Sequence, residues 1–327
     1  MADAVATQPH NLHLHISPEK CAGKTYIVTG ANIGLGLEAA KHLVAVGAAK
    51  VIMAVRNVSA GEAAKADIEA ATGTSGVAEV WALDLASYDS VKAFAKRAVA
   101  ELERIDALIE NAGVAAFERV MAEGHLLNIT VNVLSTLLLA VLLLPKMSED
   151  AKKFGIVPHI VFVSSRVGFD VQADWNVVKG DPLVEVEKEE YPGLKMYPLS
   201  KLFESVAVRH LGTLAPVSRT GVVLNTVCPG SCRTELGRNA PPAFTAILKE
   251  SKDKYGRTAE DGSRTLLYGA VAGKESHGRF LDSCRIAEDV VPSWVTDEEG
   301  KKSQKILWDA IASELESVQP GCVKAIM

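Results

Sequence analysis

Hydrophobic positions fall into two alternating kinds of run. Short apolar runs, with Val, Ile and aromatic residues prominent, occupy residues 25–29, 51–55, 77–83, 107–109, 159–163 and 222–227. Their length and composition read as strands. Between the first two, Leu37, Ala40, Leu43 and Val44 recur at helical spacing. Residues 59–72 and 87–103 are the next helix candidates, the second opened by Ser87 with Asp89 and Ser90 in its first turn. Strand and helix in alternation predict an α/β chain, a parallel sheet with helices on both faces. No repeat or long linker divides it, so a single domain over residues 20–327 is expected, after a flexible, solvated tail at 1–19.

Two stretches depart from the alternation. Residues 129–144, ITVNVLSTLLLAVLLL, are the most apolar of the chain. They are short for a membrane span and are interrupted by Asn132, Ser135 and Thr136 before Pro145. No membrane span is expected. The reading is a helix buried between the sheet and another helix, from this chain or from a second subunit of a homodimer. Residues 170–195 are polar and acidic, with Glu185, Glu187, Glu189 and Glu190 near Pro182 and Pro192. They read as an insertion on the sheet rim, either a lid or a solvated excursion.

The first strand, helix and second strand are joined by a glycine turn, Thr29-Gly30-Ala31-Asn32-Ile33-Gly34-Leu35-Gly36. Such a βαβ unit binds dinucleotides: glycines admit the pyrophosphate, and a helix N-terminus offers N–H donors and a positive dipole end. The sheet is therefore expected to be of the doubly wound, Rossmann type.

Composition changes the picture little. Of 327 residues, 48% are hydrophobic and 23% charged, ordinary for a globular chain. A net charge of −5 gives no reason to expect nucleic acid as a partner. Five scattered cysteines fit a reducing compartment better than a disulfide framework, and the first residues carry no signal-peptide pattern. A cytoplasmic location is expected. His10, His13 and His15 lack companion ligands and read as part of the tail, so no metal site is expected.

The candidate chemistry sits where strands end. Asp84 follows the third strand and can accept from an adenine or cap the next helix. Asn111-Ala112-Gly113 follows the fourth. Ser164-Ser165 ends the fifth, and Tyr197-Pro198-Leu199-Ser200-Lys201 opens the next helix. Tyr197 and Lys201, at i and i+4, share a helix face. An ammonium beside a phenol favours the phenolate and lowers its pKa toward neutrality. Pro198, tolerated only in a helix's first turn, places Tyr197 at the helix start. Tyr191 is a rival phenol without a lysine four residues on. Cys228-Pro229-Gly230-Ser231-Cys232-Arg233-Thr234 ends the sixth strand, and its two cysteines read as small apolar fillers. No carboxylate follows Val51-Ile52-Met53-Ala54; Val55 and Arg56 come next. A guanidinium there suits the 2′-phosphate of NADP(H) rather than the free ribose of NAD(H).

In this order the motifs resemble the short-chain dehydrogenase/reductase family across residues 24–234. Ala54-Val55-Arg56-Asn57 and the late Gly278-Arg279-Phe280-Leu281-Asp282-Ser283-Cys284 are similar to its retinol-dehydrogenase-like and WW-domain-oxidoreductase-like members. The resemblance implies an NADP(H)-dependent oxidoreductase interconverting a ketone or aldehyde and an alcohol on a small, apolar substrate. It implies Tyr197 as general acid/base, Ser165 on the substrate oxygen, and Lys201 on Tyr197 and the nicotinamide ribose. Asn132 would hold a water linked to Lys201. It implies a cofactor cradle of Gly30, Asn32, Ile33, Gly34, Leu35, Gly36, Arg56, Asp84, Leu85, Asn111, Ala112 and Gly113. Tyr197, Lys201, Pro229, Gly230, Cys232 and Thr234 complete it on the nicotinamide side. Residues 235–275, with Pro241, Pro242, Phe244 and Ile247, are expected to cover the substrate pocket. Glu110 stands where the family usually has a second Asn, which leaves the local turn without its usual support. Two other readings remain open: a non-catalytic NADP-binding sensor or scaffold, and a redox-neutral dehydratase or cyclase.

Overall fold

The computed structural model describes residues 5–188 and 193–327. Its main sheet has eight strands: β1 (Thr25–Thr29), β2 (Lys50–Val55), β3 (Ala78–Ala82), β4 (Ala107–Glu110), β5 (His159–Val163), β6 (Val223–Cys228), β7 (Phe280–Asp282) and β8 (Arg285–Ile286). In space they run β8-β7-β6-β5-β4-β1-β2-β3. All neighbours are parallel except β7 and β8. The longer helices are α1 (Gly34–Ala45), α2 (Val58–Thr72), α3 (Tyr88–Glu101), α4 (Thr136–Phe154), α5 (Gly193–Leu214), α6 (Pro242–Tyr255), α7 (Ala259–Gly269) and α8 (Glu298–Val318). The expected doubly wound sheet is present as one domain. Strand order reverses between β1 and β4, and the crevice at their carboxyl ends is the place such sheets offer a ligand.

Side chains alternate across the strands, so each strand feeds two cores. Ile27, Ile52 and Ala54 enter one core, while Tyr26, Val28, Val51 and Met53 enter the other. The apolar stretch forms the helical run Leu127–Phe154, apolar and long enough to cross a membrane by composition, with 89% of its apolar window buried inside the protein. Its cover comes from the chain itself: α3 and the C-terminal turn Lys324–Ile326 pack on α4. The expected alternative, cover from a second subunit, is not needed for this burial. Helix α8 packs on α5 and buries Leu307, Trp308, Ile311 and Leu315.

The expectation of a solvated N-terminal tail is overturned for residues 8–16. Leu12 and Ile16 are buried. Gln8 Nε2 donates to the carbonyls of Ser231 (2.9 Å) and Tyr255 (2.7 Å), and its Oε1 accepts from Ser231 N (2.9 Å). Arg257, wholly buried, donates from Nε to Pro9 O at 2.8 Å and from Nη1 to Pro229 O at 2.6 Å. Asp261 accepts from the backbone N–H of Asn11 and Leu12. A buried guanidinium without partners would be costly, and the tail's carbonyl supplies one.

The 170–195 excursion is likewise embedded rather than decorative. It forms helix Gln172–Val178 and turn Pro182–Glu185, and buries Val171, Trp175, Val178, Leu183 and Val186. Trp175 meets Phe203 of α5 edge-on at 5.7 Å. Glu187 Oε1 accepts from His125 Nδ1 at 2.7 Å. Residues 189–192, with Glu189, Glu190 and Tyr191, lie outside the described residues. The expected pocket cover also shrinks. Helix α6 buries none of its residues, but α7 packs on α1 and β6 and buries Leu266 and Leu267, so 259–269 belongs to the core.

Two substitutions test these corrections. Leu12→Ala should lower stability by about 2 kcal/mol or more, and Trp175→Ala by about 3–5 kcal/mol. Both are read from denaturant midpoints with m unchanged. Variants as stable as wild type would restore the solvated tail and the decorative insertion.

Candidate active site

At the switch point, β1 ends at Thr29 and the chain turns through Gly30, held at φ 67°, a conformation glycine adopts without strain. The N-cap of α1 is Ile33, which offers no side-chain bond to the helix. The first-turn N–H groups of α1 therefore remain available to an anion. A Cβ at Gly36 would sit 2.6 Å from both Asn111 Nδ2 and Gly30 O, so only glycine lets the strands' ends come this close. Asn111 Nδ2 donates to Thr29 O at 2.9 Å, and Ala112 N to Thr29 Oγ1 at 2.9 Å. These bonds hold the Asn111-Ala112-Gly113 turn despite Glu110. The Thr234 methyl lies 3.5 Å from the Cβ position of Gly34, so the segment of Pro229, Gly230, Cys232 and Thr234 closes on the glycine turn from the other side. An uncapped helix end between close-packed strand ends fits a dinucleotide pyrophosphate.

The remaining cradle residues divide. Asn32 and Leu35 are partly exposed in the turn and Ile33 is 50% exposed. Val55 is buried, whereas Arg56 is exposed, and no hydrogen bond or ion pair of its side chain is found among the described residues. Its neighbour Asn57 caps α2 by accepting from Ala60 N at 3.1 Å. Asp84 is not a helix cap: Ser87 caps α3. Asp84 Oδ1 accepts from Ala86 N at 2.9 Å, and Leu85 is a core residue.

The four expected catalytic residues converge beyond β4 and β5. Ser164 is structural, its hydroxyl bonded to Lys201 O and Ser205 Oγ. Ser165 caps the turn Arg166–Asp170, its hydroxyl accepting from Val167 N at 3.4 Å, and its side chain stands beside the Tyr197 phenol, whose ionised form it favours. Tyr197 is not at a helix start, as Pro198 had implied. Helix α5 begins at Gly193, and the proline forgoes only the bond to the carbonyl of residue 194, early in the helix. Lys201 Nζ donates to Val163 O at 2.7 Å and to Glu204 Oε2 at 3.0 Å. It lies 3.8 Å from where a Cβ of Gly113 would be, which puts the lysine against the turn lining the crevice.

Asn132 lies in a π-helical turn, Thr130–Ser135, a widening often found where a helix must present one side chain. Its Oδ1 accepts from Val114 N (2.8 Å), and its Nδ2 donates to Val114 O (2.8 Å) and Ser200 Oγ (2.9 Å). The amide thus fastens the Gly113–Val114 backbone to α5.

Electrostatics correct one expectation. The Tyr197 phenol is not lowered by Lys201. Burial, then the charges of Glu204 and Cys228, push it up, against the Ser165 hydrogen bond. Burial also raises the Glu204 carboxyl, opposed by Lys201. Burial and Glu204 hold Glu110 well above the usual carboxylate range. Burial pushes the Cys228 thiol up to about 11 and Cys232 up to about 12, which keeps both protonated, as fillers would be. No group of three His, Cys, Asp or Glu among the described residues is placed to hold a metal. Sequence reasoning missed Glu204, although its position three residues after Lys201 in an apolar run was a usable signal. It noted Glu110 only as a departure, and nothing local marked Gln8 or Arg257.

Comparison with known proteins agrees with this geometry. Residues 24–177 match the short chain dehydrogenase family. The chain is 40% identical over 305 residues to short chain dehydrogenase/reductase dmxR8 of Cryptosporiopsis sp. (strain 8999), covering 92% of this chain and 93% of that protein. It is 37% identical over 309 residues to short-chain dehydrogenase/reductase ffsI of Aspergillus flavipes, covering 93% and 89%. A short chain dehydrogenase from Shigella flexneri, solved with NADP, has the same fold at a TM-score of 0.61 and 22% identity, covering 82% of this chain and 100% of that one. Motif order, sheet topology and these likenesses together place the chain in the short-chain dehydrogenase/reductase family.

Proposed function

We propose that the protein is an NADP(H)-dependent oxidoreductase that interconverts a ketone or aldehyde and an alcohol on a small, apolar substrate. The observation that carries this reading is Lys201, one turn after Tyr197 on α5, held by Val163 O at the end of β5 beside Ser165 and lying against the Gly113 turn of the crevice. The α1 N-terminus, with Gly30, Gly34 and Gly36, would hold the pyrophosphate, and Arg56 the 2′-phosphate. Asn111, Ala112, Gly113 and the Pro229–Thr234 segment would wall the nicotinamide half. A nicotinamide bound there supplies or takes up the hydride.

The chain's own residues handle the proton and the oxygen. In reduction, Tyr197 gives its hydroxyl proton to the carbonyl oxygen, and Ser165 hydrogen-bonds that oxygen as it gains charge. Lys201 stands one turn from Tyr197. Asn132 keeps α5 and the Gly113–Val114 backbone at fixed separation. Apolar groups on the loop after β4 and on α6 support an apolar substrate: the Phe117 and Phe244 rings meet edge-on at 5.7 Å, and Ile247 on α6 is 62% exposed.

Tyr197→Phe should fold and bind NADPH but lose turnover by ~10²–10⁴-fold, the usual worth of a positioned proton donor. A mutant retaining more than about a tenth of the rate would move the acid elsewhere. A wild type that binds NADPH yet turns over no carbonyl would favour a sensor, and product without any change in nicotinamide absorbance a redox-neutral enzyme.

Arg56→Ala should weaken NADPH binding by roughly 1.5–3 kcal/mol, the range for hydrogen bonds to charged groups. NADH binding should barely change, because it has no phosphate for Arg56 to hold. Titration of both cofactors decides this, and equal losses for the two would make Arg56 structural.

A further inference from the structure

We propose that Gln8 is a positioning residue for the cofactor. Its amide clasps the loop after β6 to the C-terminal end of α6, and so sets the wall against which the nicotinamide half lies. The inference rests on the reading of residues 229–234 as that wall.

One side chain makes the whole clasp. Gln8 Oε1 accepts from Ser231 N at 2.9 Å, and Nε2 donates to Ser231 O at 2.9 Å and to Tyr255 O at 2.7 Å. A loop leaving a sheet loses its ladder partners, and its backbone groups need substitutes. Gln8 supplies them for both backbone groups of Ser231, as a neighbouring strand would. The amide finds room there because residue 230 is glycine, at φ 77°. A Cβ at that position would sit 2.5 Å from Gln8 Oε1 and 2.6 Å from Arg257 Nη1.

The loop and the end of α6 form one hydrogen-bonded unit. Arg257 N donates to Ser231 O at 2.9 Å, and Arg257 O accepts from Arg233 N at 2.8 Å. Arg233 Nε donates to Lys252 O at 3.1 Å and its Nη2 to Asp253 O at 3.0 Å. Lys252 Nζ donates in turn to Thr234 O at 2.8 Å and Leu236 O at 2.7 Å. Gln8 fastens this unit from outside, on a strap with its own anchors. Arg257 Nε holds Pro9 O, Asp261 of α7 holds Asn11 N and Leu12 N, and Leu12 and Ile16 are buried. At its far end the loop brings Thr234 against Gly34, where α1 starts. Arg56 and Asp84 follow β2 and β3, which lie across β1 from β6. A displaced loop therefore disturbs the nicotinamide half and leaves the adenosine half alone.

The test compares two probes in the full-length protein, NADPH and 2′-phospho-ADP-ribose, which is NADP(H) without its nicotinamide. Gln8 is half-buried and uncharged, so Gln8→Ala should fold. The NADPH Kd should rise about tenfold, for the loss of bonds each worth roughly 1 kcal/mol, while the Kd of 2′-phospho-ADP-ribose stays at the wild-type value. Gln8→Glu keeps the shape and one acceptor but loses both donors, and should match Gln8→Ala. Without any ligand, the Ser231 amide should exchange its hydrogen about tenfold faster in Gln8→Ala. Unchanged NADPH affinity, or equal losses for the two probes, would overturn the proposal. So would a loss of NADPH affinity in Leu12→Ala as large as in Gln8→Ala, because loosening of the strap at large would then explain both. A wild type that binds no NADPH would sink the cofactor reading and this inference with it. Faster Ser231 exchange in Gln8→Ala would then mark the failure as that of the reading and not of the clasp.

Discussion

A sheet covered on both faces can carry polar chemistry only where its strands end. Strands β1, β4, β5 and β6 are buried along their whole length, and interior polar groups there are tolerable only with partners. Thr29 and Ser164 therefore come at or just beyond the carboxyl ends, where the turn after β4 and helix α5 supply partners, while Glu110 at the end of β4 leaves its Oε1 without one. The bonds from Asn111 and Ala112 to Thr29 are the tightest expression of this constraint. They bring the ends of β1 and β4 together, open the crevice beside them, and fix where α1 begins.

The same constraint explains which parts were legible in sequence. Apolar runs bounded by turn residues located β1 to β6 within a residue or two, because burial on both faces leaves no room for polar interruption. Landmarks at strand ends followed from that frame, since Gly36, Asn111, Ser165 and Tyr197 each answer a local demand of the chain near them. What escaped was set by distant partners. Gln8 and Arg257 mean nothing until residues 8–9 and 229–231 lie side by side. Trp175 reads as one aromatic in an acidic stretch until Phe203 is beside it. Composition described the outward side chains of that stretch and missed the inward ones.

Segments outside the βαβ frame share a role. The N-terminal strap ties the loop after β6 to Arg257. The 170–188 stretch seals one end of α5, and α8 lies along it. Each adds buried contact to an element bearing a site residue without contributing a reacting group. A site held to fractions of an ångström needs such support. It also makes the site's geometry depend on contacts far away in sequence.

Asn132 shows what this rigidity costs in other uses of a side chain. An amide has two donor hydrogens and one acceptor oxygen. Here both donors and one lone pair of the oxygen are engaged, by Val114 and Ser200, which leaves the oxygen's second lone pair. The π-helical turn that presents Asn132 is thus a structural fastener, and a water held by this amide would take the oxygen's second lone pair. The ion-pair partner of Lys201 is Glu204, at 3.0 Å. A helix carrying Tyr197, Lys201 and Glu204 within eight residues places a phenol, an ammonium and that ammonium's carboxylate partner on one rigid element. Their mutual electrostatics are then set by helix geometry, while the strand-end bonds decide where that element meets the crevice.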